Sequence, residues 1–419
     1  MENIKNIANK INENGGRLYL VGGAVRDKLF NLEKNDEDYC VVGLDFRKFE
    51  ELFPNAIKRG KSFFVYDIDG REFAMARSEY KIGKKHTDFK ITSNSNITIE
   101  QDLVRRDITI NSIAEDVLTG EIIDPFNGIS DFKNGVIKAT SSNFKDDPLR
   151  AYRAARFASK FNFDVDENTI KMISELKSEL KYLSPERVFE EFRKAINSNY
   201  PVRFFEVLKK ANILEVHFEE LYKLIGAIQP IDHHPEGDAY NHTMLAFKMA
   251  CSITKDEKIR FSALVHDLGK GLTPKEEYPH HYGHDIKGVD EVKKFGKRLR
   301  MPKSWIKSGV TSAAEHMKGG IFYRMTPNKQ IDFLERISKT DLGLKGLEIV
   351  VESDKNCRGL EKRKVEFADL GEDIINKIDG KYVMNLYPNL KPGLNLKERI
   401  HEERIKYLKS LNLEREIEK

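Results

Sequence analysis

The chain has 419 residues, and at roughly 150 residues per domain this length predicts two to four packed units rather than one. Hydrophobic residues make up 40% and aromatic residues 10% of the chain, which is enough to build cores and excludes a disordered protein. The formal charge of +4 at pH 7 is too small to indicate a nucleic-acid partner by itself, so any basic surface must be local.

The sequence indicates neither a membrane protein nor a disulfide-rich protein. No apolar run reaches the ~18 residues that a membrane span requires, and the first residues carry no apolar signal segment. We therefore expect a cytoplasmic protein with no membrane partner. The cysteines Cys40, Cys251 and Cys357 are odd in number and far apart, which favours reduced packing residues over a disulfide framework or a cysteine zinc site.

The order of apolar residues predicts a mixed region followed by a helical one. Up to about residue 140, short β-branched and aromatic runs alternate with Gly, Asn and Asp, which is typical of an α+β fold. From Pro148 onward, apolar residues recur every three or four positions, which predicts helices as far as the C-terminus. The segment 229–241, rich in Gly, Pro and His, is a candidate boundary. The strand-like runs are 18–21, 39–42 and 63–66.

Two short motifs accompany the first strand-like runs. Gly22 and Gly23 follow the first run and precede Arg26, so backbone N–H groups and a guanidinium could hold an anion there, although a simple turn is the alternative. Asp36 and Asp38 lead into the second run. Residues two apart on a strand point to the same face, so this carboxylate pair is a candidate Mg²⁺ site, with an acidic turn as the alternative.

A third motif contains Arg105, Arg106, Asp107 and Asn111. The two arginines could bind triphosphate oxygens, while Asp107 and Asn111 offer an acceptor and an amide to ribose hydroxyls. Structural ion pairs are the alternative for each residue. The presence of all three motifs in one α+β region favours a single nucleotide site, with Mg²⁺ serving phosphoryl or nucleotidyl transfer.

The next motif lies at the start of a predicted helix. Asp147 precedes Pro148, an arrangement typical of a helix N-cap followed by proline at the first helical position. Arg150, Arg153 and Arg156 recur every three residues along one side of this helix. That is more positive charge than a buried face normally carries, and it predicts an anionic partner.

These motifs together resemble the bacterial CCA-adding enzymes, or tRNA nucleotidyltransferases. The resemblance implies addition of C, C and A to the 3′ end of tRNA from CTP and ATP, without a nucleic-acid template. The matching motifs are G-G-x-x-R from Gly22, D-x-D from Asp36, R-R-D-x-x-x-N from Arg105, acidic-D-x-x-R from Asp146 and E-R-x-x-x-E from Glu186.

The same resemblance implies that Asp147 and Arg150 read the incoming base. Cytosine and adenine both present an amino donor beside a ring-nitrogen acceptor, whereas uracil and guanine reverse this order. One carboxylate beside one guanidinium therefore selects C and A together. Asp146 stands where the family commonly has Glu, and Glu186, Arg187 and Glu191 are predicted to support the base-reading helix.

A second set of motifs lies beyond residue 229. His266 and Asp267 fall within an apolar helical run, where a polar pair is expensive to bury unpaired. A metal ion would remove that cost, although a lone His-Asp pair is more often structural. The candidate metal ligands are His242, His266, Asp267 and Asp354, and the candidate phosphate contacts are His281, His284 and His316.

The order H, then H-D, then D resembles the HD-domain phosphohydrolases, a module that some bacterial CCA-adding enzymes carry. This implies phosphatase, 2′-nucleotidase and 2′,3′-cyclic phosphodiesterase activities that use a divalent metal, with Ni²⁺ as one candidate. Cys357 departs from the small residue usual near Asp354. Two other hypotheses stay open: a bacterial poly(A) polymerase, and an HD phosphohydrolase with an inactive head.

The fold class expected from the resemblance is α+β. It comprises a nucleotidyltransferase-fold head with a mixed sheet, followed by an all-α neck, an HD body and a tail. The oligomeric state is left as monomer or homodimer. The expected domains are the catalytic head at 1–140, the neck at 141–222, the HD domain at 223–360 and the helical tail at 361–419.

Overall fold

A computed structural model of the chain separates into two compact units, Met1–Val216 and His217–Lys419. The residues that the structure describes are 3–33, 37–60, 64–81, 89–92, 95–232, 234–357, 365–390 and 393–417. Among these, only the backbone is described for residues 78–81, 89–92, 394 and 412–417.

The first unit is built on a mixed sheet. Its seven described strands run in the order β3-β4-β5-β2-β1-β8-β9. Strands β2 and β5 are parallel, and the other neighbours in this sheet are antiparallel. Two further pairs, β6 with β7 and β10 with β11, lie outside this sheet. The strands are β1 (Arg17–Val21), β2 (Asp38–Val42), β3 (Ile57–Arg59), β4 (Val65–Ile68), β5 (Arg71–Met75), β6 (Ser78–Lys81), β7 (Phe89–Thr92), β8 (Ala114–Asp116), β9 (Ile122–Ile123), β10 (Val136–Ile137) and β11 (Asp164–Val165).

Helices cover both faces of this sheet. Side chains alternate along a strand, so Leu18 and Val41 enter one core with α1 and α3, whereas Val21 and Cys40 enter a second core with α4. The helices are α1 (Ile4–Glu13), α2 (Gly23–Leu29), α3 (Phe46–Leu52), α4 (Ile99–Leu103), α5 (Gly128–Lys133), α6 (Leu149–Phe161), α7 (Glu167–Glu175), α8 (Lys177–Leu180), α9 (Pro185–Ile196), α10 (Val202–Lys210) and α11 (Leu214–His217).

Helix α6 is the centre of the region after the sheet. It buries Ala151, Tyr152 and Ala155 and packs against α9 and α10. The predicted succession of an α+β head and a helical region is confirmed. One detail differs, because the neck is not entirely helical: β11 pairs in parallel with β10 and buries Val165.

The second unit is helical, and its described residues contain no strand. Helices α13, α14, α15, α16 and α18 pack around one another. None of the described helices combines the length and the apolar character needed to cross a membrane. The helices are α12 (Glu219–Tyr222), α13 (Ala239–Ile253), α14 (Glu257–Val265), α15 (His284–Arg298), α16 (Lys303–Gly320), α17 (Pro327–Ile337), α18 (Gly343–Asn356), α19 (Ala368–Lys377), α20 (Gly380–Leu386) and α21 (Leu394–Ile417).

A buried histidine gives this unit a predictable sensitivity to acid. Burial lowers the pKa of His217 to about 4, and the nearby Arg298 charge acts in the same direction. The unfolded chain takes up a proton near pH 6.5, whereas the folded one does not, so stability falls as the pH drops from about 6.5 toward 4. Between pH 7 and 5 we expect wild type to lose about 2 kcal/mol more unfolding free energy than His217→Gln. Urea unfolding at each pH measures this difference, and parallel pH profiles would contradict it.

Candidate active sites

The first three motifs meet where β1 ends. Strands β1 and β2 are antiparallel with Val21 opposite Asp38, and β1 and β8 are antiparallel with Val21 opposite Ala114. The Gly22 backbone N–H also donates to the Ile113 carbonyl at 2.9 Å. The glycine turn, the start of β2 and the segment before β8 therefore lie side by side.

A cavity of about 530 Å³ opens at this point. Among the described residues its wall carries eight arginine and lysine side chains against three aspartates. Such an excess of positive charge suits a polyanion such as a nucleoside triphosphate. The charged lining residues are Arg26, Arg105, Arg106, Arg150, Arg153, Arg156, Lys160, Arg187, Asp38, Asp107 and Asp147.

The carboxylate pair predicted to hold Mg²⁺ is described in part. Asp38 is exposed at the start of β2 and lines the cavity. Its neighbours Glu37 and Tyr39 line a different cavity, as the alternation of a strand requires. Asp36 lies outside the described residues.

A buried carboxylate holds the two adjacent arginines of the third motif. Asp102 is fully buried and accepts hydrogen bonds from Arg105 at 2.7 and 2.9 Å and from Arg106 at 3.2 Å. Burial raises the pKa of Asp102, but the two guanidinium charges outweigh it and hold the pKa below its usual value. Sequence reasoning missed Asp102, although its spacing of three and four residues from the arginines is a helical pairing signal.

Gly22 is required by this arrangement. Its φ is +73°, and a Cβ there would lie 3.0 Å from Arg106 Nη1. Any other residue would be strained in its backbone and would press on the arginine. The glycine therefore lets the turn and Arg106 share the cavity wall.

Arg26, Asp107 and Asn111 form a connected network. Arg26 is only 2% exposed; it pairs with Asp27 Oδ1 at 2.7 Å and donates to Asn111 Oδ1. Asn111 in turn donates to Asp107 Oδ1 at 3.3 Å. Burial raises the pKa of Asp107, but the nearby Arg153 charge overcomes this and keeps the pKa well below its usual range. These residues line the cavity while also bonding to one another.

The arginine row on α6 finds acidic partners inside the protein. Arg153 donates to Asp107 Oδ2 at 2.8 Å, and Arg156 donates to Glu191 Oε2 at 2.5 Å. The anionic partner predicted for this row is therefore supplied in part by the chain itself. Lys160, which sequence reasoning missed, lies four residues after Arg156 and also lines the cavity. Its position on the same helix was the available signal.

Asp147 and Arg150 are both held in place by the protein. Asp147 Oδ1 accepts from the Leu149 backbone N–H at 3.0 Å, and Oδ2 accepts from Arg187 at 2.7 Å. Arg150 donates to the Arg105 carbonyl at 2.7 Å. A carboxylate has about four acceptor positions, so capping the helix and pairing with Arg187 still leave room for a ligand donor.

The second candidate site lies in the helical unit and draws six side chains from five segments. His242 is on α13, His266 and Asp267 follow α14, His284 is on α15, His316 is on α16 and Asp354 is on α18.

A glycine allows these segments to approach closely. A Cβ on Gly269 would lie 1.9 Å from the His284 carbonyl oxygen, so no other residue fits there without displacing α15. The glycine therefore fixes how near α15 lies to the segment that carries Asp267.

Asp267 is the centre of this site. Its Oδ2 lies 3.2 Å from His266 Nε2 and 3.7 Å from His242 Nε2. Its Oδ1 lies 3.4 Å from His284 Nε2 and 3.5 Å from His316 Nε2. These contacts form two ligand groups that share Asp267.

Asp354 completes the first of these groups. Its Oδ1 lies 2.9 Å from His242 Nε2 and 3.7 Å from His266 Nε2. The unusual Cys357, whose Sγ lies 3.4 Å from the Asp354 carbonyl, leaves the carboxylate in reach of both histidines.

The donor set fits a divalent cation. His266 Nε2 and both oxygens of Asp267 are buried and have no hydrogen-bond partner in the described part of the chain, which is costly unless a cation is bound. Lys270 Nζ forms an ion pair with Asp267 Oδ2 at 2.6 Å and donates a hydrogen bond to Gln229, so it supplies one positive charge beside the ligand cluster. Burial lowers the pKa of His266, but the charge of Asp267 raises it to about 9. The site therefore favours positive charge at its centre.

The three histidines predicted to contact phosphate occupy different positions. His284 and His316 face Asp267 and are candidate ligands. His281 has both ring nitrogens engaged, with Thr273 Oγ1 at 2.9 Å and the Ile228 carbonyl at 3.0 Å. All three line a cavity of about 380 Å³ together with Asp267 and Asp354.

Three family models match the chain. The poly A polymerase head domain matches residues 18–138, and the probable RNA and SrmB-binding site of polymerase A matches residues 162–224. The HD domain matches residues 239–373. The first candidate site combines residues of the first match with α6, which lies between the first two matches, and the metal-ligand candidates of the second site lie within the HD match.

Curated relatives extend over most of the chain. It is 38% identical over 322 residues to a multifunctional CCA protein of Nitrosococcus oceani, covering 76% of this chain and 79% of the relative. It is 42% identical over 296 residues to that of Mannheimia succiniciproducens, covering 68% and 70%. A solved structure of a CCA-adding enzyme in an apo form shares the fold, with a TM-score of 0.65 and 19% identity over 96% of this chain and 89% of that one. The chain belongs to the multifunctional CCA protein family.

Proposed function

We propose that the first unit adds C, C and A to the 3′ end of tRNA, using CTP and ATP. The observation that carries this proposal is that Asp147 and Arg150 share one cation-lined cavity with Asp38. A base reader, a triphosphate site and a metal-binding carboxylate would then serve one nucleotide. The similarity to multifunctional CCA proteins supports this assignment.

The residues of the cavity have distinct roles in this proposal. Asp38 would hold Mg²⁺ together with Asp36. The bound ion would neutralise negative charge on the attacking and leaving oxygens. Arg105 and Arg106, held by Asp102, orient the triphosphate so that the tRNA 3′-hydroxyl attacks the α-phosphate.

Base choice depends on two fixed side chains. Asp147 accepts from the exocyclic amino group of C or A, and Arg150 donates to the adjacent ring nitrogen. Uracil and guanine place a carbonyl against the carboxylate and an N–H against the guanidinium. Each mismatched contact costs about 1–3 kcal/mol. Arg187, bonded to Asp147 Oδ2, keeps the carboxylate in one orientation.

We also propose a metal-dependent phosphohydrolase in the second unit, with phosphatase, 2′-nucleotidase and 2′,3′-cyclic phosphodiesterase activities. His242, His266, Asp267 and Asp354 would hold one divalent ion, for which Ni²⁺ is a candidate. Asp267 with His284 and His316 offers a second, adjoining position. A bound ion supplies Lewis-acid polarisation of a phosphoester and lowers the pKa of water.

The decisive experiment incubates the protein with tRNA lacking its 3′ end, plus CTP and ATP, followed by sequencing of the product. We expect addition to stop after C, C and A. Long oligo(A) tails would support a poly(A) polymerase instead. No incorporation together with phosphoester hydrolysis would support an inactive head.

A substitution at Asp147 tests base reading without removing the helix cap. Asn is as good an N-cap as Asp, but its amide presents both a donor and an acceptor to the base. For Asp147→Asn we expect the selectivity for CTP over UTP, measured as a ratio of kcat/KM, to fall by about 10- to 100-fold. Asp164→Asn, at an exposed position of the same unit, is the matched control. Unchanged selectivity in Asp147→Asn would refute this role.

A further inference from the structure

The loop before α13 contains a buried carboxylate that contacts a candidate metal ligand. The sequence predicted only a boundary at 229–241, yet the Glu236 side chain is 6% exposed. Its Oε1 lies 2.7 Å from His242 Nδ1. A second contact at that nitrogen, Cys357 Sγ, is 3.9 Å away. Glu236 is therefore the stronger partner of His242 Nδ1.

This contact determines which nitrogen of His242 is available to an ion. A carboxylate accepts a hydrogen bond from an N–H group, so Glu236 favours a hydrogen on Nδ1. With Nδ1 protonated, Nε2 is the nitrogen whose lone pair would bind an ion. Nε2 is also the atom that lies 2.9 Å from Asp354 Oδ1 and 3.7 Å from Asp267 Oδ2. Nε2 therefore faces the other ligands of the first group and is the nitrogen that would bind an ion placed among them.

The loop itself is anchored to the helix that carries His242. Asp238 caps α13 by accepting from the Asn241 N–H at 2.8 Å, and it also accepts from the Gly226 N–H at 2.8 Å. Asn241 Nδ2 donates to the Glu236 carbonyl at 3.2 Å. These bonds set the distance between Glu236 and the first turn of α13, so the carboxylate is already in place before an ion binds.

Glu236 also contacts a second imidazole. His234 Nδ1 lies 3.0 Å from the same oxygen, Oε1. The other oxygen, Oε2, is buried and has no hydrogen-bond partner in the described part of the chain. His234 and His242 thus contact the same oxygen of a nearly buried carboxylate, which ties the orientation of Glu236 to the candidate metal ligand.

We infer that Glu236 is a positioning residue that fixes the tautomer and the orientation of His242 for metal binding. This inference rests on the proposed metal site of the second unit. Partners of this kind make an imidazole more basic and hold its ring, and their loss typically costs 10- to 100-fold in metal affinity.

The test is calorimetric titration of the metal-free, full-length protein with Ni²⁺. The same titration of Asp267→Ala measures Ni²⁺ binding at other positions on the protein. For Glu236→Ala we expect the Ni²⁺ affinity to fall by about 10- to 100-fold. Glu236→Gln keeps an acceptor oxygen and should recover most of the affinity. Glu277→Ala, at an exposed position of the same unit, is the matched control and should bind as wild type does.

A spectroscopic measurement separates positioning from simple support of the fold. In the Zn²⁺-loaded wild type we expect a slowly exchanging Nδ1 proton on His242 in the NMR spectrum, retained in Glu236→Gln and lost in Glu236→Ala. If the alanine protein does not fold, Glu236→Asp replaces it as a milder variant. Its side chain is one methylene shorter, so we again expect a lower metal affinity and loss of the slowly exchanging Nδ1 proton.

The possible failures are distinguishable. If wild type binds Ni²⁺ and the Ala and Asp variants bind it equally well, the inference about Glu236 is overturned while the metal site stands. If wild type shows no binding above the Asp267→Ala background, the proposed metal site fails, and the inference fails with it.

Discussion

Replacing Asp38 with alanine is expected to lower CMP and AMP incorporation by about 10³-fold or more, because loss of Mg²⁺ binding removes several kcal/mol of transition-state stabilisation. Asp38 stands at the start of β2, opposite Val21 and beside the glycine turn, in a wall made mostly of cations. The rate of single-turnover addition to tRNA lacking its 3′ end measures the effect. Hydrolysis of phosphoesters by the second unit should be unchanged.

The neighbouring Glu37 provides a matched control. It lines a different cavity and accepts a hydrogen bond from the Tyr39 hydroxyl at 2.8 Å. Glu37→Ala removes a carboxylate one residue away and should incorporate nucleotides at nearly the wild-type rate. Near-normal addition by Asp38→Ala, or loss of both activities in a folded Asp38→Ala protein, would contradict the assignment.

Replacing Asp267 with alanine is expected to abolish metal-dependent phosphoester hydrolysis while sparing CCA addition. Asp267 belongs to both ligand groups, and each of its oxygens faces two imidazoles. Its removal takes away the negative charge that a divalent cation needs, so we expect metal affinity to fall by more than about 10²-fold. Metal titration and a phosphatase assay on the same preparation measure both consequences.

Asp290→Ala is the matched control for this variant. Its carboxylate lies on α15, is 74% exposed and pairs only with a surface lysine among the contacts described for it, Lys293 at 3.2 Å. It should retain the metal and both activities. Full phosphohydrolase activity in Asp267→Ala would show that the cluster around this residue is structural.

Local patterns in the sequence were sufficient for the framework of the first unit. The runs 18–21 and 39–42 fall within one residue of β1 and β2, because both faces of these strands enter a core and the runs are therefore apolar at every position. The third run, 63–66, was displaced relative to β4 (Val65–Ile68). Asp69 and Gly70 form the hairpin turn after β4, both with positive φ, and an Asp-Gly pair is the sequence signal typical of such a turn.

The site was harder to predict because it depends on tertiary partners. From the sequence alone, Arg153 and Arg156 have no acidic partner on their own helix. In the structure they donate hydrogen bonds to Asp107 and Glu191, which are distant in sequence. In the sequence, Glu236 is part of a predicted domain boundary, since no motif or spacing in that segment connects it with His242. Motif spacing identifies which residues carry chemistry, whereas the groups that neutralise or orient them become visible only in three dimensions.

The tight fit at Gly269 has a consequence for how the second unit could be tuned. The separation between α15 and the chain that carries Asp267 is set by backbone contact at this glycine, and side-chain rotamers have no part in it. A methyl group there would meet the His284 carbonyl oxygen and the Gly288 backbone nitrogen, so α15 and its His284 would have to move relative to Asp267. In the metal site proposed above, Gly269→Ala would therefore weaken the position that depends on His284 before the one formed by His242, His266 and Asp354.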